Sequence, residues 1–217
     1  MPRCGAPETR WRGTAEPGGV LSNPFALPQV LEAAGYCYSS SVTANSSLTH
    51  LPFALDYNRE NTAETAIFQF PVTVEDEASP PLGERLPQAL DLARKVARYG
   101  GSVVVLIHPD ILGHKLDFKR GFVAALKPDA WFGSMAEFGA WWAARDAVAV
   151  EVAESGSDRL VTLTVPRKIA GLGLALPSGW TYRASEPENL RLAASEAGVV
   201  LAEAQGTIKL SFTAGPR

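Results

Sequence analysis

Cysteine, methionine and histidine are scarce in this chain of 217 residues, which holds two, two and three of them. The two cysteines, Cys4 and Cys37, set no disulfide framework. Cys4 lies in a Pro/Gly-rich lead-in, and Cys37, in an apolar stretch, reads as a buried thiol rather than a bridge partner. The histidines are His50, His108 and His114. No H-x-x-x-H or H-E-x-x-H pair exists, so spacing defines no zinc site. A run of about 18 apolar residues is also missing, which excludes a membrane-spanning helix. Residues 1–19 lack the apolar core of a secretory signal, so the chain as written reads as cytoplasmic. Basic residues are not in excess: Lys and Arg number 20 against 23 Asp and Glu, and the net charge is -3. That balance gives no reason to propose a nucleic-acid partner.

What is present is apolar material. It makes up 46% of the chain, with a mean hydropathy of zero, as in a globular protein with a sizeable core. The expected organisation is a flexible lead-in (1–19), an α/β region (20–146) and a β-rich segment (147–217) resembling a sandwich-like module. Leu27 to Ala34 reads as a helix with Pro28 in its first turn and Gly35 past its end. Tyr36 to Val42 reads as a strand, and Thr43 to Asn61 as a long polar loop. Ala66 to Val74 reads as one strand, with Pro71 suiting an edge or an end. Leu82, Leu86, Leu90, Ala93 and Val96 recur at helical spacing before Gly100-Gly101. Ser102 to His108 is a continuous apolar run, the pattern of a parallel strand buried on both faces. Asp117 to Leu126 is a helix, and Trp131-Phe132 a short strand. Ser134 and Glu137 form a capping box for a helix to about Arg145. Beyond it, alternation on both sides of Ser155-Gly156-Ser157-Asp158 signals a β-hairpin. Further strands are expected at 172–176, 180–183, 199–202 and 207–212, with Gly171-Leu172-Gly173 as a turn between strands.

The residue with the clearest chemical potential is His108. A histidine at the C-terminal end of a buried parallel strand sits where α/β barrels place their active sites, and imidazole exchanges protons near neutral pH. Taken alone, a single histidine ending a strand reads first as a backbone-bonded structural group. Glu75-Asp76-Glu77 offers carboxylates but reads as a solvated loop. Ser39, Ser40 and Ser41 lack a G-x-S-x-G elbow and read as strand-end serines. Trp131, Trp141, Trp142 and Trp180 have faces suited to stacking on sugar rings, although the Trp141-Trp142 pair reads as core.

Several segments together resemble one family. They are Leu27-Pro28 with Val30-Leu31-Glu32-Ala33 and Gly35-Tyr36, then Ser40-Ser41, Phe70-Pro71-Val72-Thr73-Val74-Glu75-Asp76-Glu77, and Val104-Val105-Leu106-Ile107-His108-Pro109. Trp131-Phe132-Gly133-Ser134 follows and leads into Trp141-Trp142 and Arg145. The family is that of the polysaccharide deacetylases, also called the NodB-homology family, and the likeness covers roughly residues 22 to 146. The resemblance implies a partial (β/α) barrel and hydrolysis of acetyl groups from a sugar polymer. It implies zinc or another divalent metal, and a polysaccharide or oligosaccharide substrate. In that family an L-x-H motif supplies the general acid, here matched by Leu106-Ile107-His108, with Leu106 lining the acetyl pocket. The family's groove motif R-x-P-Y/F is matched in part by Pro24 and Phe25, with Ser22 in the place of arginine.

Two family motifs are missing. T-F-D-D carries the base and one metal ligand, and H-S-x-x-H carries two histidine ligands. Neither stands in this sequence. The expectation is therefore a clipped, inactive deacetylase-like chain with no metal ligands of its own. Its missing half, and an extracytoplasmic signal with it, would lie upstream. Self-association would then cover strand edges that the absent barrel strands leave open. A different class of function is a non-catalytic carbohydrate-binding protein using exposed aromatics, with Trp180 and Tyr182 as candidates. A structural role for the β-rich segment is a third.

Overall fold

The computed structural model describes residues 27–56, 64–110 and 113–215, together with a backbone pairing at Gly13–Thr14. The expected groove residues Pro24 and Phe25, and Cys4, lie outside these. The chain divides into two compact units, residues 1–139 and 140–217. The architecture is mixed α/β and mostly strand, and no closed barrel forms among the described residues.

In the first unit, β1 (Gly13–Thr14), β2 (Tyr38–Ser39), β4 (Glu64–Gln69) and β3 (Phe53–Asp56) form one sheet in that spatial order. The first two pairings are parallel and the last antiparallel. Helix α1 (Leu27–Ala33) lies against β4: Leu31, Leu55 and Ile67 share a core, and Glu32 Oε1 accepts from the Ala66 N–H at 3.1 Å. The strand expected over Tyr36 to Val42 is shortened to two residues. Its Ser39, and Ser41 beyond it, are fully buried and bonded to each other at 2.7 Å. Cys37 is buried but disulfide-bonded, which corrects its reading as a free thiol.

The expected loop from Thr43 to Asn61 contains structure. Thr43 Oγ1 accepts from the Ser46 N–H and caps the short helix α2 (Ala44–Ser47), and β3 follows. The single strand expected over Ala66 to Val74 is two strands in two sheets. Pro71 has no N–H to give to a ladder, so the strand stops at Gln69 and restarts as β5 (Val72–Glu75).

Strand β5 pairs in parallel with β6 (Val104–Leu106), with Glu75 facing Leu106, and Val72 makes an isolated parallel bridge to Thr43 on its other side. Between them run a 3-10 turn (Leu82–Arg85) and α3 (Leu86–Arg98), a βαβ crossover. β6 is three residues long and half-buried, not a strand buried on both faces, because it has one neighbour instead of two. Helix α4 (Gly113–Leu126) follows. Phe118 and Phe122 stack on its inner side at 5.3 Å and join Val74, Leu82, Ala89 and Ala93 in one core. Trp131-Phe132 is not a strand but the lead into α5 (Met135–Asp146). The capping box is present: Glu137 Oε2 accepts from the Ser134 N–H at 2.8 Å, and Ser134 Oγ accepts from the Glu137 N–H at 3.2 Å.

The second unit is a single antiparallel sheet, not a sandwich. β7 (Ala149–Ser155) turns at Gly156 into the long β8 (Asp158–Ala175), which pairs with β11 (Gly198–Ala214). Two shorter strands, β9 (Trp180–Glu186) and β10 (Leu192–Ser195), pair with opposite ends of β11. The segments 158–165 and 172–176, expected as separate strands, are one. Pro166 is tolerated because the register shifts there, between Val165 opposite Gly206 and Ile169 opposite Ala204. Gly171-Leu172-Gly173 lies within β8 and is no turn. Gly171 sits at φ +66°, a left-handed value that re-aims the side chains beyond it. Burial accordingly follows odd numbers from Val161 to Ile169 but then falls on Leu172. Both halves of β8 and β11 thus feed one core, which holds Leu163, Leu172, Leu201, Leu210 and Phe212. Each of these side chains contributes about 1.5–3 kcal/mol through burial.

Candidate functional site

Because β5 and β6 are parallel, their C-terminal ends lie on the same side of the sheet. Asp76 is the residue after β5, and His108 lies two residues after β6. The crevice beyond the carboxyl ends of parallel strands is where α/β sheets place their sites. Here the two residues are bonded twice. Asp76 Oδ2 accepts from the His108 backbone N–H and Oδ1 from His108 Nδ1, both at 2.8 Å. The carboxylate thereby takes over the ladder position that a backbone carbonyl would fill one residue further along β5.

A third group completes the cluster. Lys115, in the first turn of α4, is 6% exposed, and its Nζ lies 2.6 Å from Asp76 Oδ2. The same ammonium donates to the His108 carbonyl at 3.2 Å and to Asp110 Oδ1. A cation in the first turn of a helix opposes the helix dipole. The two carboxylates and the carbonyl, not the helix, hold Lys115 in place. Glu77 Oε1 stands 3.9 Å from His108 Nδ1 on the exposed side. Arg85 fixes the intervening loop, with Nε donating to the Pro80 carbonyl at 2.7 Å.

The electrostatics follow from this geometry. Burial alone would push the Asp76 carboxyl up, but hydrogen bonds from Lys115 and His108 outweigh it and hold the group well below the usual carboxylate range. The bond to Asp76 raises His108 above its ordinary value, against a smaller opposing effect of burial. Lys115 is raised by its bonds to Asp110 and then Asp76. An ionised carboxylate can only accept, so His108 Nδ1 carries a proton toward Asp76. No described residue bonds Nε2, and the side chain is 35% exposed. The result is an aimed imidazole with one nitrogen tethered and the other open, able to give or take a proton at Nε2.

Of the residues expected at the site, His108 stands in this cluster. Leu106 ends β6 beside Glu75 and is half-buried. Asp76, read from sequence as part of a solvated acidic loop, is instead fully buried at the centre of the cluster. Lys115 carried no sequence signal. Asp76 was readable only by recognising residues 72–106 as one βαβ unit, which places the ends of both strands together. His50 and His114 do not join the cluster: His50 Nδ1 faces Thr73 Oγ1 at 3.5 Å, and the buried Nδ1 of His114 has no partner.

The described residues do not fit a divalent metal here. Among them no group of three or more His, Cys, Asp or Glu converges as ligands. The space between Asp76 and Asp110 holds the Lys115 ammonium, and His108 Nδ1 is committed to Asp76.

The aromatic candidates separate in the same way. Trp142 is buried, Trp141 Nε1 donates to the Ala170 carbonyl at 2.7 Å, and Trp180 and Tyr182 pack on Phe212 at 5.7 and 6.0 Å. Trp131 is 62% exposed. The far end of its indole lies against Gly133, where an added Cβ would come within 2.1 Å of Cη2 and Cζ2, and its ring is tilted against Phe138 with centroids 6.0 Å apart.

No helix among the described residues is long and apolar enough to cross a membrane. Compared with protein-family models, curated proteins and solved structures, the chain gives no significant match to any of them.

Proposed function

We propose that this chain is a polysaccharide deacetylase-like protein in which His108 stands as the general acid for hydrolysis of acetyl groups from a sugar polymer. The observation that carries the reading is the pair of hydrogen bonds from His108 to Asp76 at the ends of two adjacent parallel strands. The crossover β5–α3–β6 supports it as one unit of a partial (β/α) barrel. In this reading the protonated Nε2 of His108 delivers its proton to the departing amine or alkoxide, and Leu106 lines the acetyl pocket. The base and the metal that polarises the acetyl carbonyl would have to come from groups other than those described. The described residues alone therefore supply the acid of this reaction but do not complete it, so the proposal includes no turnover by them. Among the described residues β6 has no strand on its other edge, and self-association through that edge belongs to the same proposal.

The test is binding and turnover of an N-acetylglucosamine oligomer by the chain. Selective perturbation of the His108 ring resonances, with no acetate released in the presence of zinc, is the expected result. His108 signals unmoved at millimolar oligomer would remove the substrate assignment, and zinc-dependent acetate release would overturn the inactive state.

A second reading, a non-catalytic carbohydrate-binding protein, is favoured by one observation. Trp131 is 62% exposed with the far end of its indole against Gly133, an aromatic surface suited to the C–H face of a pyranose. Loss of oligomer binding in Trp131→Ala, with His108→Gln binding normally, would select it over the first.

A further inference from the structure

Asp76 has two oxygens and three donors. Oδ1 serves His108 Nδ1, while Oδ2 serves both the His108 N–H and the Lys115 ammonium, the latter at 2.6 Å. Lys115 is in turn drawn toward Asp110, whose side chain is 64% exposed. Burying a long, strongly hydrated cation in a helix's first turn is unfavourable on its own. A plain structural link between strand and helix needs no charge at this point. The charge matters where it meets Asp76.

We propose that Lys115 is a positioning residue for His108: its ammonium divides the Asp76 carboxylate between two partners and so limits the charge that Asp76 offers to the imidazole. Asp76 without Lys115 would hold the imidazolium more tightly and make it a poorer proton donor near neutral pH. Lys115 also fixes the His108 carbonyl at 3.2 Å, so it sets the backbone from which the ring projects. Among the described residues, the charged groups facing His108 are Asp76 and Glu77 from the stretch after β5, Lys115 from α4 and, through Lys115, Asp110 from the segment after β6. The guanidinium of Arg85 is turned to the Pro80 and Glu75 carbonyls. The functional meaning rests on the acid role proposed for His108, whereas the test below uses no activity.

The experiment follows the His108 Cε1–H resonance against pH in the whole chain, as wild type, Lys115→Met and Lys115→Arg. The titration midpoint should rise by about 0.5–1 pH unit in Lys115→Met and return toward the wild-type value in Lys115→Arg. A midpoint that stays or falls in a folded Lys115→Met variant would overturn the inference and leave Lys115 a structural ion pair. If Lys115→Met does not fold, Asp110→Asn replaces it. Its exposed side chain is easily exchanged, and releasing Lys115 fully to Asp76 should lower the His108 midpoint. No fall there is the overturning result. The oligomer titration decides the deacetylase-like reading separately, since it follows substrate contact and not proton affinity.

Discussion

Asp76 holds His108 at two points, the backbone N–H and ring Nδ1, each at 2.8 Å from a different oxygen of one carboxylate. A single bond would leave the imidazole free to swing about its side-chain torsions. Two bonds from a fully buried carboxylate fix both the main chain and the ring, and assign the Nδ1 proton. The other nitrogen, Nε2, is left without a bond from any described residue on a side chain that is 35% exposed.

Replacing Asp76 by Asn keeps the shape and removes the charge. The His108 titration midpoint should then fall from its raised position to about 6.5 or below. The ring's NMR signals against pH report this directly. An unchanged midpoint in Asp76→Asn would mean that Asp76 does not govern the ring.

The same pair makes stability depend on pH, and each sign can be worked out. His108 is raised in the folded state, so its contribution is complete below its unfolded value of about 6.5 and is lost as pH rises through the folded value. Asp76 is lowered, so its contribution is present above about 4 and is lost only as pH falls through its depressed folded value. Both act fully between about pH 4 and 6.5. There Asp76→Ala should cost about 3 kcal/mol, because it strips a buried carboxylate from two donors. Urea unfolding at pH 5 and pH 9 compares the two regimes. A larger wild-type-to-variant gap at pH 9 than at pH 5 would contradict the assignment of His108 as the linked group.

Much of the fold was legible where a single physical rule decides it. The capping box at Ser134 and Glu137, the helix from Leu86 and the hairpin across Gly156 all follow local pattern. Other elements were misread because tertiary pairing sets them. Pro71 ends one strand and lets the next join a different sheet, and β8 continues through Pro166 and Gly171 because β11 opposite it absorbs the irregularities. Of the candidate site, His108 was visible from its apolar strand. Asp76 was hidden by its acidic neighbours Glu75 and Glu77, which read as solvated. Lys115 was hidden because a lysine near a helix start carries no sign of burial.

The long ladder of the second unit gives a sharp steric prediction. A Cβ at Gly198 would approach the Leu174 carbonyl oxygen to 2.5 Å, and that oxygen belongs to backbone that cannot swing aside. Gly198→Ala should therefore destabilise the sheet by about 1–3 kcal/mol. Gly173, in the facing strand, has nothing within 4 Å of the same position. Gly173→Ala should stay within about 0.5 kcal/mol of wild type. Equilibrium unfolding of both variants makes the comparison, and equal effects would show that the Gly198–Leu174 approach does not constrain the ladder.

Trp131 and Gly133 define the remaining prediction. The far end of the indole, Cη2 and Cζ2, occupies this position only because residue 133 has no Cβ. Trp131 is largely exposed and its side chain can swing aside, so Gly133→Ala should displace the ring with little effect on stability, within about 0.5 kcal/mol. If Trp131 is a sugar-stacking surface, Trp131→Ala and Gly133→Ala should both weaken binding of an N-acetylglucosamine oligomer, the former by about tenfold. Fluorine NMR on fluorotryptophan-labelled protein follows the ring in parallel. A displaced Trp131 signal in Gly133→Ala with unchanged oligomer affinity would show that the ring's orientation has no part in recognition. Affinity lost in step with the displacement would tie binding to the geometry that Gly133 permits.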